Sequence, residues 1–290
     1  MKRNIHLLVI DPQNDFCDLP ASYLPLDPVN ARPQAPALPV PGAHADMLRL
    51  ADLIGHGTAG LSGISVTLDS HHRLDIAHPT FWKDADGGAV NPFTQIAAAD
   101  VRAGRYLPRN PTAIARVLDY LDTLEAAGRY RLMVWPVHCE IGSWGQAVHA
   151  DVRAAYNRWE DAQLGIVNKI GKGSNPWTEH YSAVMAEVPD ADDPDTQLNR
   201  PLIDLLKQAD RIYIAGEAGS HCVKATTEHL ADNFAPGDLG KLVLLTDCIS
   251  PVAGFEAQYD AFLRDMKARG LQTATSVDAL AELSANSANI

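Results

Sequence analysis

Cysteine is scarce and dispersed. Cys17, Cys139, Cys222 and Cys248 are the only four in 290 residues, and no two form a CxxC pair. A chain this long buries a core without a disulfide framework, so the pattern points to a reducing, cytoplasmic setting. Positive charge is also in deficit. With 24 Lys and Arg against 36 Asp and Glu, the formal net charge is −12 and the pI is near 5.3, which argues against nucleic acid or an anionic membrane as partner. No apolar run approaches the roughly 20 residues of a membrane span. The short one in MKRNIHLLVIDPQNDF is cut by Asp11, with no small-residue cleavage site after it, and reads as a first strand and not a signal peptide. That strand runs into Asp-Pro-Gln-Asn-Asp and not GxGxxG, which argues against a dinucleotide-binding oxidoreductase. Internal repeats and low-complexity tracts are absent too. Hydrophobic residues at 46% and charged residues at 21% are ordinary for a globular chain.

What is present is an alternation of strand-like and helix-like segments. Residues 5–10, 63–68, 131–137, 166–170, 211–215 and 241–246 read as strands. Helical patterns cover 45–54, 112–127 (closed by Gly128), about 145–160, 197–208, the stretch from His221 onward, 256–268 and 277–283. Repeated β then α argues for an α/β fold, a doubly wound (Rossmann-like) parallel sheet of about six strands with helices on both faces. One domain over 1–290 is expected, with two loop insertions. Residues 17–43 are Pro-rich and irregular. Residues 83–111, with Gly87-Gly88, Asn91-Pro92 and Pro108, form an excursion of the length that lids or flexible insertions have.

Asp11, Asp69, His138, Lys172 and Cys222 fall at or just past the ends of five of these strands. In a parallel sheet the C-terminal ends share one edge, where ligands bind. Two subsets suggest chemistry. Asp69 and His71, two apart on an extended segment, point the same way, and with His138 they offer two imidazoles and a carboxylate suited to Zn²⁺ or another divalent ion; His78 is a candidate further ligand. His44, His56 and His72 read as surface residues. The second subset is Cys222 with Asp11 and Lys172. Ser220 as N-cap would place Cys222 in the first turn of a helix, where free N–H groups favour a thiolate. Asp11 supplies a base, and the Lys172 ammonium would stabilise the thiolate. A lone helical cysteine is more often a small buried hydrophobe; the company it keeps here favours a nucleophile.

These residues carry a resemblance. VIDPQNDF, LDSHH followed by HPTF, WPVHCEIGSWG, GKGSNPWTEHYSA and IAGEAGSHCVKAT, in that order, resemble the motifs of the nicotinamidase and isochorismatase-like cysteine hydrolase superfamily, in its nicotinamidase-like branch, over nearly the whole chain. The resemblance implies an isochorismatase-like hydrolase fold. It implies Asp11, Lys172 and Cys222 as catalytic residues, and the backbone N–H groups of Ala218 and Cys222 as oxyanion donors, the former exposed by a cis peptide between Glu217 and Ala218. Phe16, Trp135 and Tyr181 would wall the ring pocket, and Asp69, His71 and His138, with His78 in addition, would hold a metal, Zn²⁺ or else Mg²⁺, Mn²⁺ or Fe²⁺. The implied activity is hydrolysis of nicotinamide to nicotinate and ammonia through a thioester. Another small carboxamide or ureido substrate, or a non-catalytic metal-binding member of the fold, is the alternative. The expected partner is a small amide, and a homo-oligomer is expected. The chain departs from the motifs at Glu217, where an aliphatic residue is usual, at Gly219, where Thr or Ser is usual, and at Val184, where Phe often stands.

Overall fold

The computed structural model describes residues 2–288. The first strand, β1 (Ile5–Ile10), is buried at every position, as a strand covered on both faces must be. Its one polar residue, His6, sits 2.9 Å from Ser65 Oγ, and burial lowers its pKa to about 4, so the ring is neutral. The chain continues through α1 (Ala43–Gly57) to β2 (Gly63–Asp69), then β3 (Trp82–Asp84), β4 (Thr94–Ile96), α2 (Ala98–Arg102), β5 (Tyr106–Pro108), α3 (Ile114–Ala127) and β6 (Leu132–Val134). After α4 (Ala150–Gln163) and β7 (Asn168–Lys172) follow α5 (Arg200–Lys207), β8 (Arg211–Gly216), α6 (Cys222–Asn233), β9 (Leu242–Leu245), α7 (Glu256–Arg269), β10 (Gln272–Ala274) and α8 (Ser276–Ser287). Among the described residues no helix is long and apolar enough to cross a membrane.

Six strands form one sheet in the order β10-β9-β8-β1-β2-β7, and every pair is parallel. Helix α1 packs on α4 and α8, α6 packs on α7, and both α1 and α6 lie against β8. The chain runs outward from β1 to β2 and β7, then returns to the other side of β1 as β8. This reversal opens a crevice at the C-terminal ends of β1 and β8. Asp11 leaves one side of it, and the segment leading to Cys222 leaves the other.

Two expectations fail. Residues 131–137 are not a strand of the main sheet: only Leu132–Val134 is extended, and it pairs antiparallel with β4. His138 therefore reaches the crevice from a separate two-stranded ribbon. Residues 83–111 are not an unstructured excursion either. They hold β4, α2 and β5, and Trp82, Val90, Ile96, Val101 and Leu132 pack with Val117, Leu121 and Leu124 of α3 in a second buried cluster. The scattered apolar residues of this segment lack a clean period because each short element buries only one or two side chains. Helix α4 also starts later than position 145, since 143–149 form turns whose carbonyls receive the 14–15 backbone.

Gly216 ends β8 with φ +117°, and a Cβ there would run into the Ile10 carbonyl of β1. Gly216→Ala should therefore cost about 1–3 kcal/mol in urea unfolding. Gly237→Ala, where a Cβ meets nothing within 4 Å, should stay within about 0.5 kcal/mol of wild type.

Candidate active site

The polar residues of the first motif fasten neighbouring backbone to β1. Gln13 pairs its side-chain amide with the Asp69 main chain, donating to the carbonyl and accepting from the N–H, each at 2.7 Å. Asp15 accepts from Cys139 N at 2.6 Å and from Ala37 N at 2.9 Å. The positions of Asp69 and of the 138–139 segment are thus fixed by residues three to five places beyond Ile10. Asp11 itself takes φ +44°, and its Oδ1 accepts a 2.5 Å hydrogen bond from Thr67 Oγ1.

Lys172, the last residue of β7, is the centre of the crevice. Its Nζ lies 2.9 Å from Asp11 Oδ2, 2.9 Å from Asp69 Oδ1, 3.1 Å from the His180 carbonyl oxygen and 3.6 Å from Cys222 Sγ. Lys172, Asp11, Asp69 and Cys222 are all buried. Burial works to strip Lys172 of its proton, but Asp11 and Asp69 outweigh it and hold the ammonium well above its usual range. Burial likewise opposes the Asp69 charge, and His71 and Lys172 outweigh it, so Asp69 stays well below the ordinary carboxyl value. For Asp11 burial wins over Lys172 and the carboxyl is raised.

The same balance corrects the reading of Cys222. Burial raises its thiol well above the ordinary value, Lys172 offsets only part, and Asp11 and Asp69 add to the rise. Burial and the two carboxylates thus work against the thiolate that a helix N-terminus would favour. Ser220 is not the cap. His221 occupies the cap position with no side-chain cap bond, and Cys222 is the first helical residue, while Ser220 Oγ accepts from Val252 N.

The Glu217–Ala218 peptide is cis. Gly216 N, Glu217 N, Gly219 N and His221 N all donate to carbonyls within the protein, whereas among the described residues Ala218 N and Cys222 N donate to none. Ala218 and Cys222 both line the cavity described below.

His71, His78 and His138 are buried and bring one ring nitrogen each within 4.8 Å of the others. Each Nδ1 has its own partner: Asp75 Oδ2 at 3.1 Å for His71, the His72 carbonyl at 3.2 Å for His78, the Pro136 carbonyl at 2.8 Å for His138. For His71 and His78 that turns Nε2 toward the cluster, the arrangement by which proteins orient imidazole ligands, whereas His138 Nδ1 also lies 3.3 Å from His78 Nε2. Asp69 Oδ2 lies 3.0 Å from His71 Nε2 and 3.3 Å from His138 Nε2. Burial lowers His78 to about 3, keeping it a neutral donor. The three imidazoles are the group that could hold a divalent ion; His78, expected only as a further ligand, is one of them, while Asp69, expected as a ligand, stands beside them with its other oxygen on Lys172. Asp75, four residues after His71, was missed; its spacing as the partner of His71 is visible only once the backbone between them turns back.

A narrow cavity joins the two halves, lined by Phe16, Asp69, Trp135, His138, Tyr181, Ala218 and Cys222, and also by Leu38, Glu179, His221 and Val252. Phe16 meets His138 edge-on at 5.5 Å, and Trp135 Nε1 donates to Tyr181 Oη at 3.0 Å. His221 packs on Trp135, Tyr181 and Phe255. Glu179 and His221 are lining residues that sequence reasoning passed over, although one sits two places before Tyr181 and the other beside Cys222. A larger cavity of about 490 Å³ lies beyond Ser70, Gly173 and Asn175 and does not reach Cys222.

No family model matches the chain, and no curated protein sequence matches it. Solved structures do. The yeast nicotinamidase Pnc1p bound to the inhibitor nicotinaldehyde superposes with a TM-score of 0.61 at 20% identity, over 93% of this chain and 99% of that one. A nicotinamidase/pyrazinamidase of Acinetobacter baumanii gives 0.60 at 19% identity, over 95% and 98%. The pyrazinamidase of Pyrococcus horikoshii in complex with zinc gives 0.50 at 18%, over 94% and 99%. The chain has the nicotinamidase fold. Within that fold two of its three departures have local reasons: a Cβ at Gly219 would strike the Tyr259 ring and Ile249, and Glu217 is buried against Asp46 of α1.

A buried thiol with a raised pKa alkylates slowly near neutrality and faster as pH rises. The iodoacetamide rate of the wild type, less that of Cys222→Ala, should climb through the alkaline range; a rate already flat between about pH 6 and 8 would contradict the raised thiol.

Proposed function

We propose that the chain is a cysteine amidohydrolase cleaving the carboxamide C–N bond of a small amide, with nicotinamide as the leading substrate and nicotinate and ammonia as products. The observation that carries this reading is the meeting of a buried thiol, carboxylate and ammonium in a site with two N–H groups that no described residue uses. The likeness of fold to nicotinamidases supports it.

Asp11 accepts the thiol proton as sulfur attacks the carboxamide carbon, so a group with a raised pKa receives it from a group with a raised pKa, and no free thiolate has to be buried. Lys172 keeps its proton throughout. It steadies whichever of Asp11 and Cys222 carries the charge. The tetrahedral oxyanion faces the N–H groups of Ala218 and Cys222, each worth roughly 3 kcal/mol of transition-state stabilisation. Asp11 returns the proton to nitrogen, ammonia leaves, and an acyl thioester remains. Water, deprotonated by Asp11, then attacks the thioester, and Cys222 leaves as the thiol. Phe16, Trp135 and Tyr181 wall an aromatic ring.

Asp69, His71, His138 and His78 would hold a divalent ion, whose Lewis acidity would serve to orient a pyridine nitrogen. Three imidazoles favour Zn²⁺ or Fe²⁺ over Mg²⁺. Zinc in the Pyrococcus pyrazinamidase supports that choice. A second reading, a different small carboxamide or a ureido compound, is favoured by Glu179: burial lifts its carboxyl to about 8, and its Oε2 has no partner, so the cavity wall offers a polar group that a plain pyridine ring does not need.

Cys222→Ala should lower ammonia release from nicotinamide by about 10⁴-fold or more while circular dichroism and metal content stay unchanged; retained turnover would sink the mechanism. The ion is tested apart from activity. Elemental analysis of purified wild type should find one divalent ion per chain, and Asp69→Ala combined with His138→Ala should remove it. An ion-free wild type refutes the site.

A further inference from the structure

The side chain of Glu217 enters no step of the chemistry above, yet it is fully buried beside Asp46 of helix α1. Its Oε2 accepts from Ser250 N at 3.3 Å. Ser250 in turn donates its hydroxyl to Asp46 Oδ2 at 2.5 Å, and its carbonyl accepts from Gly219 N at 2.8 Å. Arg49 Nη2 holds Asp46 Oδ1 at 2.5 Å. The Glu217 carboxyl also lies within hydrogen-bonding reach of Asp46, while Oε1 finds no other donor. Two carboxyl groups can share a hydrogen bond only when one of them carries a proton. Asp46 already has an arginine and a hydroxyl, so the proton belongs to Glu217.

We propose that Glu217, as a neutral carboxylic acid donating to Asp46 and accepting from Ser250, is the positioning residue that aims the Ala218 N–H at the oxyanion. The catalytic half of this rests on the amidohydrolase reading; the protonation half does not. The groups facing Glu217 agree on its charge. Asp46 with its Arg49 lies on α1, Cys17 and Asp18 on the loop after β1, and Tyr259 on α7. Arg49, the one cation among them, is spent on Asp46 and the Asp247 carbonyl. Burial first, then Asp46, holds the Glu217 carboxyl well above its ordinary range. The sign of the pH effect follows. With the neutral acid native, unfolding releases its proton at any pH above the ordinary carboxyl range, so its contribution is whole below that range and is lost as pH rises.

Glutamine reproduces the neutral acid, one donor and one acceptor in the same places. Wild type, Glu217→Gln and Glu217→Ala are compared in thermal unfolding between about pH 5 and pH 8, in nicotinamide turnover, and in binding of nicotinaldehyde and nicotinate. The glutamine variant should gain on wild type in melting temperature as pH rises. The alanine variant should lose about 10²-fold in kcat with KM little changed and bind nicotinaldehyde, whose adduct with Cys222 bears the oxyanion, correspondingly less tightly, with nicotinate affinity kept; glutamine should restore both. A wild type that gains on Glu217→Gln as pH rises would overturn the proposal, and so would an alanine variant with unchanged kcat. If wild type hydrolyses no amide, the function falls, and the unfolding series alone decides where the proton is.

Discussion

A buried ammonium organises this molecule. Lys172 has lost its water, which alone would cost several kcal/mol, and it is kept charged by two carboxylates from different strands. Neither carboxylate would be tolerable there without it. Asp11 follows β1, Asp69 ends β2 and Lys172 ends β7, so one ion cluster knits three sheet neighbours at their C-terminal edge, and the sulfur of α6 closes the fourth side. The two halves of the crevice, thiol and imidazole, are electrostatically one unit: the carboxylate that faces the histidines also sets the charge beside the cysteine. This is why the thiol rests protonated. Two negative groups and one positive one already stand around it, and a further anion has to wait until a proton moves to Asp11.

The scaffold for this cluster is less regular than the sheet suggests. Strands supply Asp11, Asp69 and Lys172, but His138 comes from a loop that no strand of the main sheet carries. What holds that loop is a carboxylate, Asp15, bonded to the Cys139 amide, just as the Gln13 amide holds Asp69. Side chains here replace the ladder hydrogen bonds that a seventh parallel strand would have provided. The short segment after β1 therefore does two things at once, delivering Asp11 to the Lys172 ammonium and fastening the two segments that bear imidazoles.

How much was legible in the sequence follows from where each signal resides. The buried strands at 5–10, 63–69 and 211–216 announce themselves because strands covered on both faces are nearly continuous apolar runs, and a reactive residue past each end is placed by the sheet alone. Residues 131–137 look the same and behave otherwise, since periodicity cannot say whether an apolar triplet pairs with β2 or with a three-residue strand forty positions upstream. The insertion at 83–111 misleads for a related reason: its core is contributed piecemeal, and α3, whose helical pattern does not say what it covers, is what the pieces pack on. Ser220 failed as a cap because its hydroxyl is claimed by Val252, a contact made across the fold. The thiol was misjudged because a helix N-terminus is local and visible, whereas desolvation is a property of everything that surrounds it.

The turn before Cys222 joins these lines. A sequence that departs from a motif at two of three consecutive positions would ordinarily weaken the case for the motif's chemistry. Here each departure is matched by a neighbour. The volume that a side chain at Gly219 would need is filled by Tyr259 and Ile249, and the polarity of Glu217 is met by Asp46 and Ser250. What both arrangements preserve is the direction of two N–H groups. That direction is a property of backbone hydrogen bonds, Gly216 to Cys248 and Gly219 to Ser250, and these can be kept by apolar packing or by a buried acid pair alike. The side chains in such a turn are free to change so long as the set of them still fixes the same peptide planes, and the cost of choosing an acid is that the fixing becomes sensitive to one proton.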